Sequence, residues 1–450
     1  MADQEHVIEA EDWPKPATAW YGLVVLTLGL MIATIDRSIL SLLVEPVKRD
    51  LAITDTQFSL LVGFAFVFFY AFLGLPISRL ADVRSRRMII SVGMAFWSVA
   101  TVLCGVAQNY WQLFWARVGV GAGESSFAPA TYSILTDSFP PHKLPTAMAV
   151  LSLGFTFGAG FANFVGGAVI QALEHVPAYT VPGIGVIRNW QLVFMVVGVP
   201  GVLLALIMRT VHEPRRRGYR DASLKAATRA VPIRDVLAYM RQEWRALGPM
   251  FISLGIKVLL SFGVALWVPA LFIRTYGWTA PQIAYVLGAI GLVVAPLGLW
   301  VGVKIANHYM ARGYDDANVR VVLIATLFVM PFSTLFALMP SAELAVALMV
   351  GNTFFASIGI GPGNAALQVI VPNEMRSQIR ALYQFVFNII GYGLGPVIVA
   401  LFTDFLFGGD QYIRYSIALA AAILSPLAIL VTWFGLRPYG RAVAQARAWA

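Results

Sequence analysis

The sequence predicts an all-α polytopic membrane protein, with twelve transmembrane helices arranged as two six-helix bundles. Three observations carry that expectation. Of the 450 residues, 59% are apolar and only 12% are charged, whereas a soluble domain is nearer half apolar and a quarter charged. Long apolar stretches, each sufficient to cross a bilayer, recur along the whole chain. Three blocks of sequence recur in the same order in the two halves, as a duplicated six-span unit would leave them.

In chain order, residues 1–16 read as a tail. It is acidic, with no basic region ahead of the first apolar run, so that run reads as a retained span and not a cleaved signal. Spans 1 to 6 lie near 19–43, 56–80, 88–106, 110–137, 145–172 and 189–210, giving an N-terminal bundle over 17–210. Residues 211–245 form a basic linker, with Arg215-Arg216-Arg217 and an amphipathic piece from Asp235 to Arg245. Spans 7 to 12 lie near 246–273, 280–304, 319–339, 342–370, 379–404 and 412–436, giving a second bundle over 246–437 and a tail over 438–450.

The repeat is specific. Val118 to Glu124 matches Ile358 to Asn364. Thr54, Gln57, Gly63, Asp82 and Arg87 match Thr279, Gln282, Gly288, Asn307 and Arg312. Gly154 and Gly158 match Gly391 and Gly395. The halves differ in charge, because Arg117 and Glu124 become Ser357 and Asn364.

Lysine and arginine set the orientation. Of the 32, 24 fall on the side of the N-terminus, five on the other side and three inside spans. Both termini are therefore expected in the cytoplasm, with the protein in the plasma (inner) membrane. This topology accounts for the net charge of +9, so no nucleic-acid partner is called for. The basic linker would adsorb to the anionic lipids of that leaflet. The single cysteine, Cys104, excludes an internal disulfide, and no Cys/His spacing suits a metal. No cofactor, metal site or catalytic residue is expected, and the protein is expected to be a monomer.

The candidate site centres on span 4. Arg117 and Glu124 stand in an otherwise apolar run, seven residues apart and so on one face. Gly119, Gly121 and Gly123 between them would let another backbone approach closely. A charge at this depth is costly and normally faces the protein interior or a water-filled cavity. In span 1, Asp36 and Arg37 lie late in the run. At helical rise Asp36 and Arg117 are level, about 10 Å below the same surface, with Glu124 about 10 Å deeper. Two readings stand. The four could be static ion pairs pinning two helices, although packing alone is better served by apolar residues. Alternatively they form a protonatable cluster, in which protonating Asp36 or Glu124 releases an arginine to take an anionic head group. No histidine falls mid-span, so proton coupling would have to use Asp36 and Glu124, with Arg37 and Arg117 as the charge relay.

Lys257, deep in span 7, could meet a lipid phosphate, pair with a carboxylate or snorkel. Asn163, Asn352, Gln368 and Asn388 are possible cavity residues, but polar groups in spans more often hold helices together. The Gly119-x-Gly121-x-Gly123 run lacks the spacing and preceding strand of a dinucleotide loop.

Six plus six spans with a basic central linker resemble the major facilitator superfamily of secondary transporters. Ser78 to Arg87, with Asp82 and the pair Arg86-Arg87, is similar to that superfamily's gate motif after span 2, with serines at its two glycine positions. Arg117, Gly121 and Gly123 resemble its span-4 motif, and Gly391-x-x-x-Gly395-Pro396 resembles its antiporter motif. The first half is more specifically similar to the spinster branch, which moves sphingolipids and lysolipids, through Asp36-Arg37, Glu45 to Leu51, Gly74 to Ile77 and Arg117 to Glu124. The resemblance implies alternating access coupled to protons. It also implies a latch in which Asp82 pairs with an arginine or a helix end, with Arg86 and Arg87, to hold the cytoplasmic gate.

The expected function is thus secondary active transport of an amphipathic, lipid-like or organic-anion substrate, with protons and membrane lipids as the other partners. A proton-coupled multidrug exporter and an organic-anion symporter are the alternatives within the class. A membrane-embedded lipid enzyme is the different class, and no metal cluster, His dyad or Ser/Cys nucleophile set in the spans supports it.

Overall fold

The computed structural model describes residues 13–140, 142–216 and 232–446. Among them, eleven helices are long and apolar enough to cross a membrane. They match eleven of the twelve expected spans to within a few residues, except that several run on past the apolar stretch. The expected fourth span, 110–137, is covered by two shorter helices, Tyr110–Glu124 and Phe127–Ser138. The break falls at Ser125 and Ser126. Both hydroxyls fold back onto carbonyls of the preceding turn, Ser125 Oγ to Ala122 O at 2.7 Å and Ser126 Oγ to Gly123 O at 2.8 Å. Such back-bonding competes with the helix ladder and bends helices.

Spans 2 and 10 are also interrupted. Span 2 is Asp55–Val62 and Phe64–Val83, divided at Gly63. Span 10 is Ala342–Ile358 and Ile360–Val369, divided at Gly359. Spans 8 and 11 carry π-helical turns, at Ile290–Val294 and Asn388–Leu394. Short elements also lie outside the expected spans, among them the helix Ile233–Gln242 on the amphipathic piece of the linker. A short helix, Val44–Leu51, follows span 1. A hairpin pairs Tyr179–Val181 with Gly185–Ile187 before span 6.

One of the repeated blocks has a visible cause. Thr54 and Gln57 form a capping box that opens span 2, and Thr279 and Gln282 form the same box at the start of span 8. The hydroxyl accepts the N3 amide while the glutamine reaches back, so two otherwise orphaned donors are satisfied.

Contacts divide the chain into two compact units. The first comprises Met1–Ser38, Phe69–Ala162 and Ala172–Arg220; the second comprises Ile39–Phe68, Asn163–Gln171 and Asp221–Ala450. Residues 39–68, the end of span 1 and the start of span 2, therefore cluster with the second half of the chain. In the first unit, a Cβ on Gly123 would lie 2.8 Å from the Trp97 amide nitrogen and 2.9 Å from Gly93 O. Span 4 thus lies backbone to backbone on span 3, as its glycines predict.

Candidate functional site: charge clusters in the two units

In the first unit, the structure brings together all four charges named from spans 1 and 4. Asn109 caps the first half of span 4, which sets Arg117 two turns inside the helix and Glu124 at its last residue, against the Ser125–Ser126 break. Arg37 Nε donates to Glu124 Oε2 at 2.8 Å, with a second bond from Nη2. The Arg37 guanidinium also lies over the Tyr70 ring of span 2, 5.4 Å from its centre. Asp36 is 0% exposed, Arg117 1% and Glu124 2%. Arg117, Arg37 and Glu124 are all within Coulombic reach of Asp36.

Thr101 of span 3 completes this cluster. Its Oγ1 is 3.2 Å from Asp36 Oδ2 and 3.0 Å from Trp97 O. A hydroxyl has one proton, so it can donate to one of these acceptors at a time. Among the described residues, the second oxygen of Asp36 and the second oxygen of Glu124 are buried without a hydrogen-bond partner. Thr101 and Tyr70 were not singled out in the sequence, where a hydroxyl inside a span carries no mark of its neighbours.

A second cluster in the same unit lies at the loop after span 2. Arg86 is 1% exposed and fully engaged. Its guanidinium donates to Asp137, to Ser133 O and Oγ at 3.1 and 2.9 Å, to Glu213 Oε1 at 3.0 Å and to Pro214 O at 2.7 Å. Glu213 in turn accepts the Ser85 hydroxyl at 2.7 Å and the amides of Arg86 and Arg87 at 3.2 and 2.8 Å. It therefore caps the helix of span 3 with a negative charge, where orphan donors and the helix dipole favour one. Burial works against that charge, but the bonds from Ser85, Arg87 and Arg86 outweigh it and hold the Glu213 carboxyl below the usual carboxylate range. Arg87 donates to Val211 O at 3.2 Å. The Asp82 side chain, named as a gate partner, lies outside the described part of the structure. Asp137 and Glu213 went unremarked in the sequence, Glu213 because it opens a linker dominated by arginines.

A third cluster belongs to the second unit; the sequence named Glu45 to Leu51 only through the family resemblance and did not foresee the cluster. Arg274, at the end of span 7, grips Asp55 through Nη1 and Nη2 at 2.7 and 2.8 Å, and Glu45 through Nε at 2.7 Å. Lys48 donates to the same Asp55 and, at 2.7 Å, to Asp410. Asp55 is 0% and Lys48 7% exposed. The Asp404 carboxylate accepts the Thr56 amide at 2.7 Å. The oxygens of Asp55, Asp404 and Asp410 come within 4.8 Å of one another, with Lys48 and Arg274 as counter-charges.

The remaining candidates, in the second unit, are dispersed. The Lys257 ammonium ends beside Gly359, where span 10 breaks. Asn352 buries an Oδ1 with no partner among the described residues. Asn388 opens the π-helical turn of span 11 and accepts Gln384 Nε2 at 3.3 Å. Asn163 is partly buried in span 5.

The sequence pattern of the Major Facilitator Superfamily matches residues 26–390. Among curated proteins, an MFS-type efflux pump of Mycolicibacterium smegmatis is 26% identical over 433 residues, covering 95% of this chain and 94% of its own. A probable L-galactonate transporter of Escherichia coli is 22% identical, over 85% and 82% of the two chains. A sphingosine-1-phosphate transporter of Danio rerio is 22% identical, over 85% and 75%. A bacterial homologue of the human lysosomal transporter spinster has the same fold, with a TM-score of 0.79 at 22% identity over 97% of this chain and 99% of that one.

Proposed function

The chain belongs to the major facilitator superfamily, a multi-pass membrane transporter with a small-molecule substrate and not an enzyme, and from that premise we propose that it is a proton-coupled carrier for amphipathic anions. It works by alternating access, as a monomer in the plasma (inner) membrane with both termini in the cytoplasm. Asp36 and Glu124 are the proton sites. Arg37 and Arg117 answer them by releasing or holding an anionic head group, and Asp82, Arg86 and Arg87 belong to the cytoplasmic gate.

One observation carries the proton assignment: the hydrogen bonding around Asp36 and Glu124 is incomplete for two carboxylates. A buried ionised oxygen with no donor is strongly disfavoured. Thr101 cannot donate to both Asp36 and Trp97. With a proton on Asp36, the carboxyl donates to Thr101 Oγ1 while the Thr101 hydroxyl donates to Trp97 O, and both contacts are satisfied. Protonating Glu124 weakens its hold on Arg37, which at 26% side-chain exposure can reach a ligand. The substrate class is supported by the relatives. L-galactonate and sphingosine-1-phosphate, named for two of them, share an anionic group beside hydroxyl or amino donors.

The test is uptake into proteoliposomes, with and without an imposed pH gradient, of lysolipids, sphingoid phosphates, sugar acids and hydrophobic drugs. Asp36→Asn and Glu124→Gln should each abolish gradient-driven accumulation while leaving counterflow. Full gradient-driven transport in both variants would sink the assignment. A second reading, export, is favoured by the efflux pump that matches over nearly the whole chain; in the multidrug form it predicts drug transport with no response to anionic lysolipids.

A further inference from the structure

We infer that the second unit holds a binding site for an anion that also carries a hydrogen-bond donor, with Lys257 as cationic anchor and Asn352 as acceptor. The inference rests on the transporter reading and is independent of proton coupling.

Lys257 stands thirteen residues into the helix Trp244–Tyr276, about 20 Å from its start at helical rise. A four-carbon stem cannot carry the ammonium from there to either end of the helix, so it does not snorkel. The side chain ends instead in a niche at the break of span 10. A Cβ on Gly359 would lie 3.3 Å from Lys257 Nζ and 3.6 Å from the Ala325 methyl. Two small residues, Ala325 from span 9 and Gly359 from span 10, thus let the charge come close to the backbone of span 10.

Among the described residues, no carboxylate forms an ion pair with this ammonium. That distinguishes it from Lys48, which serves two carboxylates. A cation at this depth with no counter-ion is costly. Seven residues before Gly359 on span 10, and so on the same helix face, Asn352 buries an Oδ1 that receives no donor. The ammonium, beside Gly359, and the Asn352 acceptor, two turns away on that face of span 10, are therefore both left without a protein partner among the described residues. The complementary ligand places an anionic group at Lys257 and a hydroxyl or ammonium within about 10 Å of it, at Asn352. A phosphate-headed lysolipid and a short hydroxy acid both have this chemistry.

The experiment is equilibrium binding to the purified full-length protein in detergent, without a pH gradient. The probes are oleoyl lysophosphatidate, monooleoylglycerol (the same chain and hydroxyls without phosphate) and gluconate (the anion and hydroxyls without a chain). Lys257→Met should weaken lysophosphatidate at least about tenfold, as expected for a lost charge-assisted bond, and leave monooleoylglycerol unchanged. Lys257→Arg should keep most of the affinity, and Asn352→Leu should weaken both hydroxylated anions. Gluconate binding that is also lost in Lys257→Met assigns the site to short hydroxy acids as well; binding of lysophosphatidate alone assigns it to lipid heads. The inference is overturned if the wild-type protein binds neither anion better than monooleoylglycerol. It is equally overturned if Lys257→Met, shown folded by its melting curve, binds the anions as the wild type does. Either failure leaves the Asp36 and Glu124 assignment standing, because no gradient is involved.

Discussion

The two units carry charge clusters of opposite character. In the second unit, Asp55 is completely enclosed, yet both its oxygens accept from Arg274, and Lys48 adds a further bond. In the first, Asp36 is just as enclosed, yet among the described residues its one hydrogen bond comes from a hydroxyl that has another acceptor. Glu124 uses one oxygen and leaves the other without a donor. Equal burial therefore does not mean equal function. A saturated cluster has little to gain from a proton, since protonating Asp55 would discard bonds already made. An unsaturated one has bonds to gain, and this is what a site that alternates between two charge states requires.

Breaking the saturated cluster should have the largest effect on stability. Asp55→Ala leaves Arg274 and Lys48 enclosed with too few acceptors, and should cost about 3–5 kcal/mol, read as a lower melting temperature in detergent. Arg86→Met should cost less, about 3 kcal/mol, because one of the carboxylates it abandons, Glu213, is 25% exposed and keeps its bonds to Ser85 and two amides. Asp36→Asn, in the unsaturated cluster, should change stability by less than about 1 kcal/mol while removing gradient-driven transport. A melting loss as large as that of Asp55→Ala would erase the contrast between the clusters.

A pH titration sharpens the comparison further. Glu213 has a lowered carboxyl, so its contribution to stability is complete above the unfolded value, about 4.3, and is lost as pH falls through its lower folded value. The stability gap between wild type and Glu213→Gln should accordingly be constant near neutrality and close in acid. The smallest effect is expected at Ala52, the one non-glycine with positive φ (51°) among the described residues. There Ala52→Gly should stabilise the protein by about 0.5–1 kcal/mol by relieving the left-handed backbone.

What could be read in the sequence follows from where each signal resides. The spans were legible because a bilayer demands long apolar runs, and Arg117 and Glu124 because a charge within such a run is conspicuous. Arg37 and Asp36 were legible for the same reason, and their depth could be counted along the helix. The break in span 4 was not, since two serines look like any other small polar residues until their hydroxyls are seen turned onto Ala122 and Gly123. Glu45, Lys48, Asp55, Arg274 and Asp410 were hidden for another reason. They sit at span ends and in loops, where charge is unremarkable, and are scattered over much of the chain. Only folding brings them together.

The interruption at Ser125 and Ser126 has a practical consequence for anyone mapping the protein with fused reporters. Counting only the helices long and apolar enough to cross gives eleven among the described residues, an odd number, and would assign the beginning and end of the polypeptide to opposite faces of the bilayer. Following the chain through both short pieces as one crossing gives the twelve of the proposed topology, which places both ends on one face. Paired reporters of sidedness, one ahead of Pro16 and one after Ala446, should therefore light up in the same compartment.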